Sequence, residues 1–293
     1  AAAACGASPT IHGDPTGTTF VDADQTWGRG NHVIVGSLQF SGRVRLRIEA
    51  GATVCFQGYS YEIGLNDSSA IEIAGTMAEP VRIHPAGNGR LRIENYTNRP
   101  PDSPVHSNIV NARFAAVAIE GYSYDIDATY FSDCVLMLEG ESSIRRSTLD
   151  HCETTVIAHD DTQGEYEASF LNSFPAVQVM GLGGDIWFHG CEFSGFPMPV
   201  TSFAAGIRIE QSNFGGSAGL DCASRADSVQ AMDNYWGHAD GPTRGDVFRG
   251  ARVTGPVKTD PFLVRPRAAG RSGGDETHGA IRRSGAECEE APC

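Results

Sequence analysis

The chain is 293 residues long, 40% hydrophobic and 20% charged, with a formal net charge of −14. No apolar run approaches the roughly 20 residues that a membrane-spanning helix needs, so no transmembrane segment is expected. A charge of this sign opposes binding to nucleic acid or to an anionic lipid surface, and the densest basic cluster of the front half, Arg82, Arg90 and Arg92, is too small to reverse it.

Residues 1–30 read as an N-terminal extension or cap that includes Trp27. The opening AAAACGASPT has the small, polar character of the start of a mature exported chain. From residue 31 onward, VIVGSLQF, VRLRIEAGATVCF, AIEIAGTM and PVRIHPA alternate apolar and polar residues, with glycine between runs. This is the pattern of strands with one buried face. Two copies of GYSY hold Tyr59, Tyr61, Tyr122 and Tyr124. They read as an exposed aromatic strip suited to sugar stacking, or as corner tyrosines filling gaps between coils.

The middle of the chain repeats a spacing rather than a sequence. Ile109, Ile126, Ile144, Tyr166, Phe188, Ile209 and Ala231 start successive units separated by 17, 18, 22, 22, 21 and 22 residues. Three places on stand Ala112, Thr129, Ser147, Ser169, Cys191, Ser212 and Asn234, all small or polar. Five places on stand Phe114, Phe131, Leu149, Leu171, Phe193, Phe214 and Trp236, all large and apolar. The intervening segments, such as VAIE, VLML and IRIE, alternate over four or five residues, too short for helices. A repeat of this length cannot bury its apolar face alone, so copies must stack strand on strand. The spacing therefore predicts an all-β fold, a single-stranded parallel β-helix of about ten coils. The handedness of parallel crossovers makes it right-handed, and the large apolar column forms its core.

LRIEAGATVCF followed by IEIAGTMAEPVRI, and later DNYWGHADGPT with GPVKTDPFL, resembles the secreted right-handed parallel β-helix proteins of bacteria, the pectate-lyase-like superfold. The resemblance covers residues 31–264 and leaves 265–293 as a Gly- and charge-rich, Cys-containing C-terminal tail. It implies the fold more than an activity, since this architecture hosts lyases, hydrolases and adhesins. Hydrolases of the fold carry aspartates on adjacent turns, a Gly-His-Gly and an Arg-x-Lys. Here Asp160, Asp161, His189 and Arg208 follow in that order and are the catalytic candidates. Phe188 precedes His189, however, and Glu210 stands where the lysine would be. The Asn-Thr-Asp of such enzymes has no counterpart. In DNYWGHADGPT, His238 and Asp240 read as parts of a turn that follows Trp236 in the aromatic column.

Eight cysteines occur without zinc spacing, which points to an oxidising, extracellular or cell-surface setting. Cys5 with Cys55, and Cys288 with Cys293, are candidate bridges that would pin the chain ends. Cys134 and Cys152 fall in one inward column, either as stacked thiols or as a bridge. Cys222 reads as a core residue, and Cys5 is also a position to weigh for lipid anchoring. No cofactor is expected apart from calcium, for which Asp160, Asp161 and Glu165 in HDDTQGEYE supply oxygen ligands without the D-x-D-x-D-G spacing.

Two functions follow as expectations. One is an extracellular structural or surface scaffold that assembles with copies of itself, through its ends and terminal extensions, into oligomers or filaments. The other is a secreted protein that binds or cleaves polysaccharide along one sheet face.

Overall fold

The computed structural model describes residues 5–58, 60–66, 68–87, 89–95, 106–159, 162–173, 177–202, 206–223, 229–243, 250–268 and 281–282. Among them every regular element is a strand, and all pairings but one are parallel. The strands form an 11-stranded sheet, one strand per coil, and a 19-stranded sheet that runs along two further sides of the solenoid. Each coil thus has three faces. In the coil that begins at Val117, these are Val117–Tyr122, Tyr124–Asp127 and Tyr130–Ser132. The fold is the parallel β-helix that the repeat predicts. Its first coil, Thr18–Val21, Gln25–Trp27 and Gly30–Ile34, already lies within residues 1–34.

Because paired strands run parallel and in register, each inward side chain meets its own counterpart one coil away, about 4.8 Å along the axis. On the second face, Ile73, Ile109, Ile126, Ile144, Tyr166, Phe188 and Ile209 pair in sequence, as the unit starts require. On the third face the column runs Val54, Ile83, Phe114, Phe131, Leu149, Phe170, Phe193 and Phe214. Trp236 continues it, 4.4 Å from Phe214 at 11°. Phe170 and Phe193 stack at 5.4 Å, and Phe193 and Phe214 at 4.9 Å. Cys222 closes a first-face column after Val179 and Val200, as its spacing indicates.

One register differs from the sequence reading. The column holds Phe170, not Leu171, and Ala168 stands opposite Ser147 where Ser169 was expected. The cause is a corner residue. Where the second face turns into the third, Asn111, Ala128, Arg146, Gly190, Gln211 and Asp233 each adopt a positive φ. The coil of Gln163–Ser173 lacks this residue, and its pairing with Ser143–Asp150 shifts register between Arg145 and Ser147. The two faces there merge into one strand of 11 residues. A fixed count of five from Tyr166 therefore overshoots by one and lands on the outward side.

The column of small residues is a hydrogen-bonded spine. Thr129 Oγ1 accepts the backbone N–H of Ala112 at 3.4 Å, and Ser147 Oγ that of Thr129 at 3.1 Å. Ser212 Oγ accepts from Cys191 at 3.0 Å, and Asn234 Oδ1 from Ser212 at 2.8 Å. The hydroxyls of Thr129, Ser147 and Ser212 in turn donate to the carbonyls of Asp127, Arg145 and Glu210. Corners that cannot continue the strand ladder satisfy their buried donors in this way.

At the first coil, Trp27 is buried under His12, whose ring stacks on it at 3.9 Å. The His32 Nε2 donates to the Gly28 carbonyl at 2.7 Å, so its Nδ1 accepts from His12 Nε2 at 3.0 Å. The GYSY tyrosines do not make an exposed strip. Tyr124 is fully buried and Tyr61 packs against the core, while Tyr59 lies outside the described residues.

Two outcomes follow. Thr154 lies opposite Leu136 in the first-face core, and its buried hydroxyl has no partner among the described residues. Thr154→Val removes an unsatisfied group and is expected to stabilise the protein by about 1 kcal/mol in urea unfolding. Burial and the neighbouring His32 pull the His12 pKa down to about 4, whereas an unfolded histidine titrates near 6.5. The unfolded chain then binds the extra proton first, so the contribution of neutral His12 is full above about pH 6.5 and is lost as pH falls toward 4. Melting curves across that window should show the loss, and His12→Gln should flatten it.

Candidate functional site: an aromatic platform beside a polar groove

The inward residues of the second face fix what points outward. With Tyr166, Phe188 and Ile209 in the core, their neighbours Glu165, Glu167, Trp187, His189, Arg208 and Glu210 stand on the outer surface. Two outward columns result. One runs Glu165, Trp187, Arg208, Gln230, and the other contains His189 and Glu210 in successive coils. Trp187 is 38% exposed, whereas Trp27 and Trp236 are 2% and 0% exposed. Its indole is flanked by a carboxylate, a guanidinium and the His189 ring, whose centroid lies 5.1 Å away at 56°.

Ion pairs order part of this surface. Arg145 Nη2 donates to Glu165 Oε2 at 2.5 Å, and Arg146 forms a paired contact with Asp127. His189 is half-buried, and its Nδ1 is buried without a partner among the described residues. Burial, with help from Arg267, lowers its pKa, while Glu167, Glu210 and Glu165 act in the opposite direction. The ring thus keeps an unsatisfied nitrogen buried beside the platform.

Past His189 the chain turns at Gly190 into a groove of about 340 Å³ along the corner between the second and third faces. Arg146, Glu167, Glu192, Gln211, Asn213 and Arg267 line it. The segment after the last coil forms one wall. Asn213 accepts the Arg267 N–H at 2.9 Å and donates to the Arg267 carbonyl at 3.0 Å, using its amide as a short strand edge would. Gly190 has φ +63°, and a Cβ there would meet Arg267 Nη1 at 2.9 Å. Other side chains take this corner in neighbouring coils, and here the lack of a Cβ leaves room for the guanidinium above it.

The structure brings His189 and Glu165 to this surface and sets Arg208 in the column of Trp187 rather than that of His189. Asp160 and Asp161 lie outside the described residues, as do Cys288 and Cys293. Among the described residues no group of three or more His, Cys, Asp or Glu is disposed to hold a metal. The six described cysteines are buried thiols. The Cys134 thiol donates to the Ser132 carbonyl at 3.2 Å and the Cys152 thiol to that of Asp150 at 3.4 Å, and the coupling between the two thiols holds Cys134 below and Cys152 above the ordinary thiol range. His238 and Asp240 are surface residues of a turn, with the Asp240 N–H donating to His238 Nδ1 at 3.1 Å.

Glu167 belongs to the acidic stretch HDDTQGEYE, whereas Trp187, Glu192 and Arg267 were not singled out from the sequence. For Trp187 a signal was present: a large aromatic residue immediately before a core start must face outward on a strand. For Arg267 there was none, because its place depends on the return of the chain past Asn213. No protein-family model, curated protein or solved structure matches this chain. The fold itself defines the class, a parallel β-solenoid with an aromatic platform on one flat side.

Proposed function

We propose that this protein is an extracellular β-helical scaffold that binds a glycan chain along the outer second face. The observation that carries the reading is Trp187, an indole held open on a rigid sheet between Glu165 and Arg208. The apolar C–H face of a sugar ring covers such a surface, while neighbouring carboxylates and guanidinium groups take its hydroxyls. The adjoining groove, polar on every side that Arg146, Glu167, Glu192 and Asn213 supply, accommodates a further residue of the chain. A net charge of −14 disfavours strongly acidic polysaccharides, so the ligand is a neutral glycan.

The chain has three tryptophans and the other two are buried, so tryptophan fluorescence reports on the platform. Titration with neutral oligosaccharides should shift the emission, and Trp187→Ala should weaken binding at least tenfold, about 1.4 kcal/mol, without lowering the melting temperature. Unchanged affinity in Trp187→Ala would remove the platform from the reading.

A second reading, self-association, is supported by the first coil. Thr18–Val21 is an edge strand of the 11-stranded sheet, and its Phe20 is 78% exposed. An edge of this kind pairs readily with another strand. If a second copy occupies it, sedimentation velocity will show a concentration-dependent dimer or longer species, and Phe20→Lys will return it to monomer.

A further inference from the structure

We propose that Cys5 and Cys55, with His84 as the base, form a thiol–disulfide site that fastens the N-terminal segment covalently to the third face. Val33, Cys55 and His84 are outward residues of three successive coils, in register one over another. Cys5 descends onto this column. With Val33 and Cys55 it forms a small apolar cluster separate from the interior core, edged by Val35 and Ala86. The two thiols pack in this one cluster, and both are buried, at 2% and 0% exposure. Gln57 Nε2 lies 3.8 Å from Cys5 Sγ.

His84 has its tautomer fixed by its neighbours. Its Nδ1 is 3.1 Å from the Pro85 carbonyl oxygen, which can only accept, so Nδ1 carries the proton. Nε2 therefore presents a lone pair, and it lies 3.8 Å from Cys55 Sγ. This is the order of groups that a resolving thiol needs: an acceptor for its proton on one side and a partner sulfur on the other.

With a low-molecular-weight disulfide as oxidant, reached by local opening around Cys5, the Cys5 thiolate attacks one of its sulfurs, forming a mixed disulfide and releasing one thiolate. Cys55 then passes its proton to His84 Nε2 and attacks the Cys5 sulfur, expelling the second thiolate, which takes up the proton. Two protein thiols are oxidised and one disulfide is reduced to two thiols. Burial, with Cys5 beside it, pushes the Cys55 thiol up to about 12, so Cys55 acts second and depends on the base. The closed loop joins residues far apart in sequence, which restricts the unfolded chain.

The test is to incubate the native protein with oxidised glutathione, quench by acid and alkylation, and map the linked peptides by mass spectrometry. A Cys5–Cys55 peptide should accumulate, Cys134, Cys152, Cys191 and Cys222 should stay reduced, and the oxidised protein should melt several degrees higher. His84→Gln should slow closure at least tenfold while leaving the melting temperature of the reduced protein and the final extent of closure unchanged. Should that variant fail to fold, His84→Asn gives the same information. Closure at the wild-type rate in His84→Gln or His84→Asn would overturn the role of His84. A persistent glutathione adduct on Cys5, linkage of either residue to Cys288 or Cys293, or no linkage would overturn the site.

Discussion

The rest of the structure depends on one constraint: in a parallel, in-register solenoid every inward side chain must pack on its own counterpart from the neighbouring coil. Rings stack on their counterparts, and Phe188 of the second face meets Phe170 and Phe193 edge-on across the core. Phe193 sits between Phe170 and Phe214 at 5.4 and 4.9 Å, and such offset pairs add to what burial alone contributes. The same constraint governs polar positions. The hydroxyl and amide of Thr129, Ser147, Ser212 and Asn234 are tolerated inside because each finds a backbone group one coil away. Thr154, in a column without such a neighbour, finds none among the described residues.

This constraint also explains how far the sequence could be read. Columns of like residues recur at the length of a coil, so Ile109, Ile126, Ile144, Tyr166, Phe188 and Ile209 were legible without knowledge of the fold. Corner geometry was less legible. A left-handed residue leaves no consistent letter, since Asn, Ala, Arg, Gln and Asp all serve alongside Gly. Its omission between Tyr166 and Ala168 could only be detected from pairing, and Leu171 was misplaced for that reason.

The site was legible in part. Knowing that Phe188 is inward fixes Trp187 and His189 as outward, so half of the platform follows from alternation. The groove does not. It arises where the chain, having left the last coil, returns past Gly190 and is held by the Asn213 amide. No local pattern encodes a contact between residues 54 positions apart. His84 belongs to the same category: its chemistry comes from Cys55 in the coil before it and from its own neighbour Pro85, and the letters HPA alone say nothing of either.

The corners carry a consequence for how such a molecule can vary. Residues 96–106 separate Leu91–Asn95 from Ser107–Val110, whereas Ser123 alone separates Val117–Tyr122 from Tyr124–Asp127. Leu91–Asn95 nevertheless pairs with Val117–Tyr122 and Ser107–Val110 with Tyr124–Asp127, so the two coils stay one strand spacing apart on both faces. Axial position is therefore counted in whole windings and is indifferent to how much polypeptide a bend consumes. The solenoid works as a graduated ruler: lengthening a bend adds bulk at its flank, and only the gain or loss of a complete winding changes the distance from Trp187 to either end.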